Sequence, residues 1–131
     1  MAPNPTIPPP LHELESEVMD EVWSRGEGEV SVREAMDALN ARAEKPRAYT
    51  TYMTILARLH TKGLLTRRRE GKTDFYAAAL SRGEYEDQRA QAGVDELVER
   101  YGDVALSHFA RQMAQLDPER RRELQRLARR K

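Results

Sequence analysis

A chain of 131 residues, 39% hydrophobic and 34% charged, holds one modest core beneath much wetted surface and promises no deep catalytic cavity. With no cysteine, disulfides, thiolate metal sites and a cysteine nucleophile are excluded; with no transmembrane-length apolar run or signal peptide, a soluble cytoplasmic protein without direct membrane insertion is expected. The 22 basic and 22 acidic side chains cancel only in total: residues 1–40 hold 2 basic and 9 acidic, residues 41–82 hold 10 and 3, and residues 83–131 hold 10 of each, so the middle third attracts phosphate.

Five prolines in residues 1–10 predict a disordered leader. Leu11, Leu14, Val18 and Val22 recur at helical spacing, widened by Met19 and Trp23, and predict a first helix over 11–25 that Gly26 and Gly28 end. Ser31 and Glu34 form a capping box opening a second helix toward Ala43, with Val32, Ala35, Met36 and Leu39 on its apolar face. Pro46 sets a turn, and a third helix follows over 48–62, with Gly63 placed for a left-handed C-terminal cap. Leu64–Arg69 and Asp74–Ala79 then flank Glu70-Gly71-Lys72-Thr73, a connection of hairpin length.

Three helices followed by a basic hairpin are the order of a winged helix-turn-helix. The expected fold is therefore mainly α: a winged-helix domain over 11–80 with a two-stranded wing, and a C-terminal helical dimerisation region over 81–131. In that tail Ser81 and Glu84 cap a helix to about Tyr101, Asp103 caps a second, and Asp117-Pro118 starts a third. The apolar stripes, Val94, Leu97, Val98 and Tyr101, then Leu106, Phe109 and Met113, then Leu124 and Leu127, are too narrow for a stable isolated tail. They are expected to pack on a second copy.

The third helix is the most informative stretch. At 100° per residue, Tyr52, Ile55, Leu56 and Leu59 share one side; Arg47, Thr50, Thr51, Thr54, Arg58 and Thr61 share the other. Thr is a middling helix former, so three in two turns need a reason beyond propensity. In a helix-turn-helix the second helix presents its N-terminal residues to base edges, here Tyr49, Thr50, Thr51 and Thr54. A Thr hydroxyl bonds donors or acceptors and its methyl meets a thymine methyl, while Arg58 suits a phosphate or a guanine. Arg67, Arg68, Arg69 and Lys72 lie in the wing and are expected, with Arg58, to contact DNA phosphates, alternation pointing Arg67 and Arg69 one way and Arg68 the other.

Catalytic chemistry has no such support. His12, His60 and His108 are scattered and form no metal-binding array, so no metal or other cofactor is expected, and there is no phosphate loop, nucleophile elbow or dinucleotide turn. Since folds do not fix functions, a winged helix used as a protein-interaction module is the alternative to DNA binding.

Leu14-Glu15, Val18-Met19, Trp23, Val32-Arg33-Glu34 and Leu39 precede the string Ala48-Tyr49-Thr50-Thr51, Met53-Thr54 and Leu56 to Leu65, and Arg69-Glu70-Gly71 and Phe75-Tyr76 follow it. In these residues the chain resembles the BlaI/MecI penicillinase-repressor family of bacterial winged-helix regulators over about residues 11–80. The resemblance implies a homodimer, joined through C-terminal helices, that binds a dyad-symmetric operator in double-stranded DNA and represses transcription, with Thr50, Thr51, Thr54 and Arg58 on the groove-reading helix. Tyr52 departs from the family's small β-branched residue, on the side expected to face the core. In well-known members a membrane-bound, β-lactam-sensing metalloprotease pathway leads to cleavage between Asn and Phe in the dimerisation region; the matching position here is His108-Phe109, with His replacing Asn. Copper-responsive relatives carry a C-terminal cysteine cluster, which this chain lacks.

Overall fold

A computed structural model describes Pro8 and residues 10–130. The leader expected to be disordered therefore lies mostly outside the described residues. Of the part inside, Pro8 is buried and its carbonyl accepts a hydrogen bond from Arg89 Nη1 at 3.2 Å.

The chain divides into two compact units, one running to Ala90 and one from Gln91. In the first, α1 (Glu13–Ser24), β1 (Val30–Ser31), α2 (Val32–Asn40) and α3 (Tyr49–Thr61) precede the hairpin strands β2 (Leu65–Glu70) and β3 (Thr73–Ala78). Each predicted helix forms because its apolar stripe meets the others in one core. Val18, Met19 and Val22 of α1, Ala35 and Leu39 of α2, and Tyr52, Ile55, Leu56 and Leu59 of α3 are all buried there. Leu64, Leu65 and Tyr76 seal the core from the sheet side. The Trp23 indole N–H, at the edge of this core, donates to the Leu80 carbonyl at 2.8 Å.

The sheet is antiparallel in the order β1-β3-β2, so the expected two-stranded wing gains a short third strand. Val30 pairs with Tyr76 and Ser31 with Phe75; Arg67, Arg68 and Arg69 pair with Tyr76, Phe75 and Asp74. Two residues are too few to show a period, which is why β1 leaves no pattern in the sequence. The hairpin turns on Gly71-Lys72, tighter than the four-residue connection expected. Gly71 has φ +62° and Lys72 does not have positive φ, as a type II′ turn requires of its two central residues.

Two further boundaries differ from expectation. Helix α2 ends at Asn40 rather than near Ala43, because residues 41–43 wind into turns whose N–H groups bond three or four residues back. Beyond the hairpin, α4 (Arg82–Tyr101) opens on the Ser81/Glu84 capping box and α5 (Asp103–Gln115) follows. Asp103 does not cap α5: the N-cap is Gly102, at φ +55° and ψ −128°, a conformation open to glycine. Asp103 becomes the first helical residue, where its carboxylate still complements the positive end of the helix dipole.

In the second unit, α6 (Pro118–Arg129) starts as expected, with Asp117 accepting from the Arg120 N–H at 2.9 Å and Pro118 in the first turn. The Arg121 guanidinium donates back to the carbonyls of Met113 and Leu116 at 3.2 and 3.0 Å, closing the end of α5. Among the described residues of this unit, Ala105 alone is a buried hydrophobic. No helix among the described residues is long and apolar enough to cross a membrane.

Candidate nucleic-acid interface

The third-helix wheel holds in three dimensions. Tyr52 and Leu56 are 0% exposed, whereas Thr50, Thr54 and Arg58 are exposed and Thr51 is half-buried. Tyr49 and Met53, at 43% and 44%, stand out beside them. Met53 was not singled out from the sequence as a candidate contact, because an apolar residue beside a polar face reads as part of the core stripe.

The start of α3 is anchored from outside the helix. Its N-cap is Ala48, which has no side-chain acceptor, so no side chain caps the first-turn N–H groups. The turn leading into it is held from α2 instead. Asn40 Nδ2 donates to the Arg47 carbonyl at 2.9 Å, and Asn40 Oδ1 accepts from the Arg47 N–H at 3.0 Å and from the Tyr52 hydroxyl at 2.7 Å. Asn40 is a second residue that sequence reading missed. An Asn at a helix end looks like ordinary punctuation until its partners seven and twelve residues away are known.

The wing faces are unequal. Arg67 and Arg69 lie on the sheet face of Leu65 and Tyr76; Arg68 lies on the other, with Phe75. The Arg68 guanidinium grips Glu29, with Nε at 3.0 Å from Oε2 and Nη2 at 2.9 Å from Oε1, reaches Glu70 at 3.4 Å, and sits 4.9 Å from the Phe75 ring centroid. Hydrogen bonding to Arg68 holds the Glu29 carboxyl below its ordinary range, and Glu29 in turn holds the guanidinium above its own. Arg69 has only a long contact to Asp74, 3.9 Å, and one to the Gly71 carbonyl, 3.4 Å. The side chains of Arg67, Lys72 and Arg58 have no hydrogen-bond or ion-pair partner among the described residues.

One groove of about 540 Å³ joins these parts, running between Tyr49 and Met53 of α3, the first turn of α2, and Arg69 and Lys72 of the hairpin. Arg33 of α2 also lines it, exposed and without a partner among the described residues. This third missed residue has a visible signal only in space, since it lies 36 positions before Arg69. Arg33, Arg69 and Lys72 give the groove a basic rim beside the Tyr49 ring. The rim offers long cationic side chains to phosphate, and the adjacent Thr face offers short hydroxyls to base edges. Among the described residues no group of His, Cys, Asp or Glu could hold a metal ion.

In the tail, Val94, Leu97, Tyr101, Leu106 and Leu127 are exposed, and Val104 at 62% joins them; Val98, Phe109, Met113 and Leu124 are half-buried. His108 and Phe109 lie inside α5, His108 exposed and Phe109 half-buried.

Comparison with known proteins agrees with this architecture. The model of the penicillinase repressor family matches residues 11–130. The chain belongs to that family. The family match runs through α6, beyond the 11–80 region that carries the resemblance. Two relatives, each described as the transcriptional regulator BlaI, from Mycobacterium tuberculosis strains CDC 1551 / Oshkosh and ATCC 25618 / H37Rv, are 36% identical over 120 residues. The alignments cover 82% of this chain and 85% of each relative.

Proposed function

We propose that this protein is a sequence-specific DNA-binding transcriptional repressor that acts as a homodimer on a dyad-symmetric operator. The observation that carries the reading is the junction of the uncapped, Thr-bearing start of α3 with the cations of the wing along one groove. Thr50, Thr51 and Thr54, with Tyr49, read base edges in the major groove; Arg47 and Arg58 contact its walls. Arg33, Arg67, Arg69 and Lys72 hold phosphates, and Arg68 shapes the wing through Glu29.

The tail's exposed stripe supports dimerisation, since a unit with a single buried hydrophobic among its described residues would gain stability from burying Val94, Leu97, Tyr101 and Leu106 against a copy. Two symmetric recognition helices then match two half-sites, and occupancy of a promoter obstructs transcription. Relief by a cut between His108 and Phe109 is the finest element of the reading. It requires α5 to open locally, because a protease needs extended backbone. A truncated product on blots of cells exposed to a β-lactam supports it; intact protein throughout removes it.

The deciding experiment is selection of fragmented genomic DNA on the purified protein at several salt concentrations, with sequencing of what is retained. Enrichment of a few promoter fragments sharing a dyad-symmetric motif is expected. Uniform or absent enrichment would overturn the reading and favour a winged helix used for protein interaction.

A further inference from the structure

Among the described residues, α2, α4 and α6 start on a side-chain cap, Ser31, Ser81 and Asp117, whereas α5 starts on Gly102 without one. The helix that bears the Thr face also lacks one, although a capping residue at position 48 is the simplest way to hold a helix start. A side-chain cap would compete for the first-turn N–H groups, of which that of Thr51 already bonds the Ala48 carbonyl at 3.1 Å, on the end of the helix that favours negative charge. The anchoring is supplied from outside by Asn40, whose amide brackets the Arg47 peptide with two hydrogen bonds and takes a third from Tyr52.

The two anchor points are different in kind. Arg47 directly precedes the N-cap, so bracketing its N–H and carbonyl fixes where the helix begins. Tyr52 is fully buried on the face opposite Thr50 and Thr54, so its hydroxyl bond to Asn40 resists rotation of α3 about its own axis. Both lone pairs of Oδ1 and one Nδ2 hydrogen are used, which leaves the amide no second orientation of equal quality.

We propose that Asn40 is a positioning residue for base recognition, clamping the start and axial rotation of α3 while leaving its first turn uncapped. This rests on the DNA-binding reading above and adds to it a residue that touches no DNA. The consequence is selective. A Thr hydroxyl sits one bond beyond Cβ and cannot reach after a displaced helix, whereas Arg and Lys follow a phosphate on long flexible stems. Loosening the clamp therefore lowers discrimination between sequences and spares general affinity for DNA.

The test compares wild type, Asn40→Ala, Tyr52→Phe and the double variant. Each is titrated with the selected operator and with a random duplex across a salt series, and amide exchange of Tyr49–Met53 is followed in the free protein. Asn40→Ala is expected to lower the operator-to-random ratio about tenfold, with random-duplex affinity and salt slope unchanged. Tyr52→Phe gives a smaller loss, and the double variant is no worse than Asn40→Ala alone, as shared partners require. Exchange of the Thr51, Tyr52 and Met53 amides, which lie where the helix's own hydrogen bonds begin, accelerates in Asn40→Ala. An unchanged ratio, or an equal loss on operator and random duplex, would overturn the proposal. If Asn40→Ala fails to fold, Tyr52→Phe, which removes one oxygen, decides it by the same ratio. Absence of operator preference in the wild type would instead sink the DNA-binding reading, and the exchange measurement then decides the clamp alone: unaltered protection of Tyr49–Met53 refutes it.

Discussion

Lys62, at the C-cap of α3, places its ammonium between the two carboxylate oxygens of Glu15, 2.9 and 2.8 Å away, and Glu15 is 1% exposed. The pair ties the far end of the recognition helix to the first turn of α1, where Glu15 also accepts the His12 backbone N–H at 3.0 Å. Removing one partner leaves a buried charge uncompensated. Lys62→Ala is expected to destabilise the fold by about 3 kcal/mol, the low end of the range for broken buried pairs because Lys62 is partly exposed. Urea denaturation measures this, and a loss below about 1 kcal/mol would show that water or another cation takes over.

The same pair predicts a pH dependence. Burial acts to raise the Glu15 carboxyl, but the Lys62 hydrogen bond, the His12 backbone N–H and the Lys62 charge outweigh it, and the net shift is downward. A carboxyl lowered on folding stabilises the protein above its unfolded value of about 4.5, and that stabilisation is lost as pH falls through the lower folded value. Thermal melts between pH 7 and 3 should fall below pH 4.5. In Glu15→Gln, less stable at neutral pH, the decline should be shallower; an identical decline would assign acid sensitivity to other carboxylates.

At Ala48 a cap can be supplied. Ala48→Ser provides an acceptor for the first-turn N–H groups of α3 and is expected to raise stability by about 0.5–1 kcal/mol. Calorimetry of the free protein tests it. No gain would mean that the Asn40 bracket holds residues 47–48 away from capping geometry.

The wing arginines divide by function. Arg69→Gln is expected to weaken operator and random DNA alike and to flatten the plot of log affinity against log salt by about 0.9, one phosphate contact. Arg68→Gln releases Glu29 and Phe75 instead, so the hairpin amides exchange faster while the salt slope stays within error. A slope change from Arg68→Gln equal to that from Arg69→Gln would refute the division.

Leu97→Glu puts a carboxylate in the exposed apolar stripe of the tail. Sedimentation should report a monomer where the wild type is a dimer, with operator affinity lower by about 100-fold through loss of bivalency. A dimer that survives the change would place the interface elsewhere.

Much of this was legible along the chain. Helical spacing at Leu14, Val18 and Val22, the Ser31/Glu34 and Ser81/Glu84 boxes, Asp117-Pro118 and the two faces of α3 are local signals, each confined to a turn or two, and the structure bears them out. The Asp103 cap was misplaced by one residue because glycine's tolerance of positive φ outweighed the carboxylate's capping preference.

The sequence by itself determined the order of elements, which residues of α3 face the core, and where basic charge concentrates, since periodicity, capping and charge density are properties of neighbours in the chain. Only the tertiary structure decided that Arg68 spends its charge on Glu29, 39 positions away, while Arg33, Arg67 and Lys72 remain unpaired among the described residues. It also decided that an α2 asparagine holds the start of α3, and that two residues after α1 complete the sheet. These are pairings between distant segments, set by how whole elements pack, and no local pattern encodes the partner of a side chain.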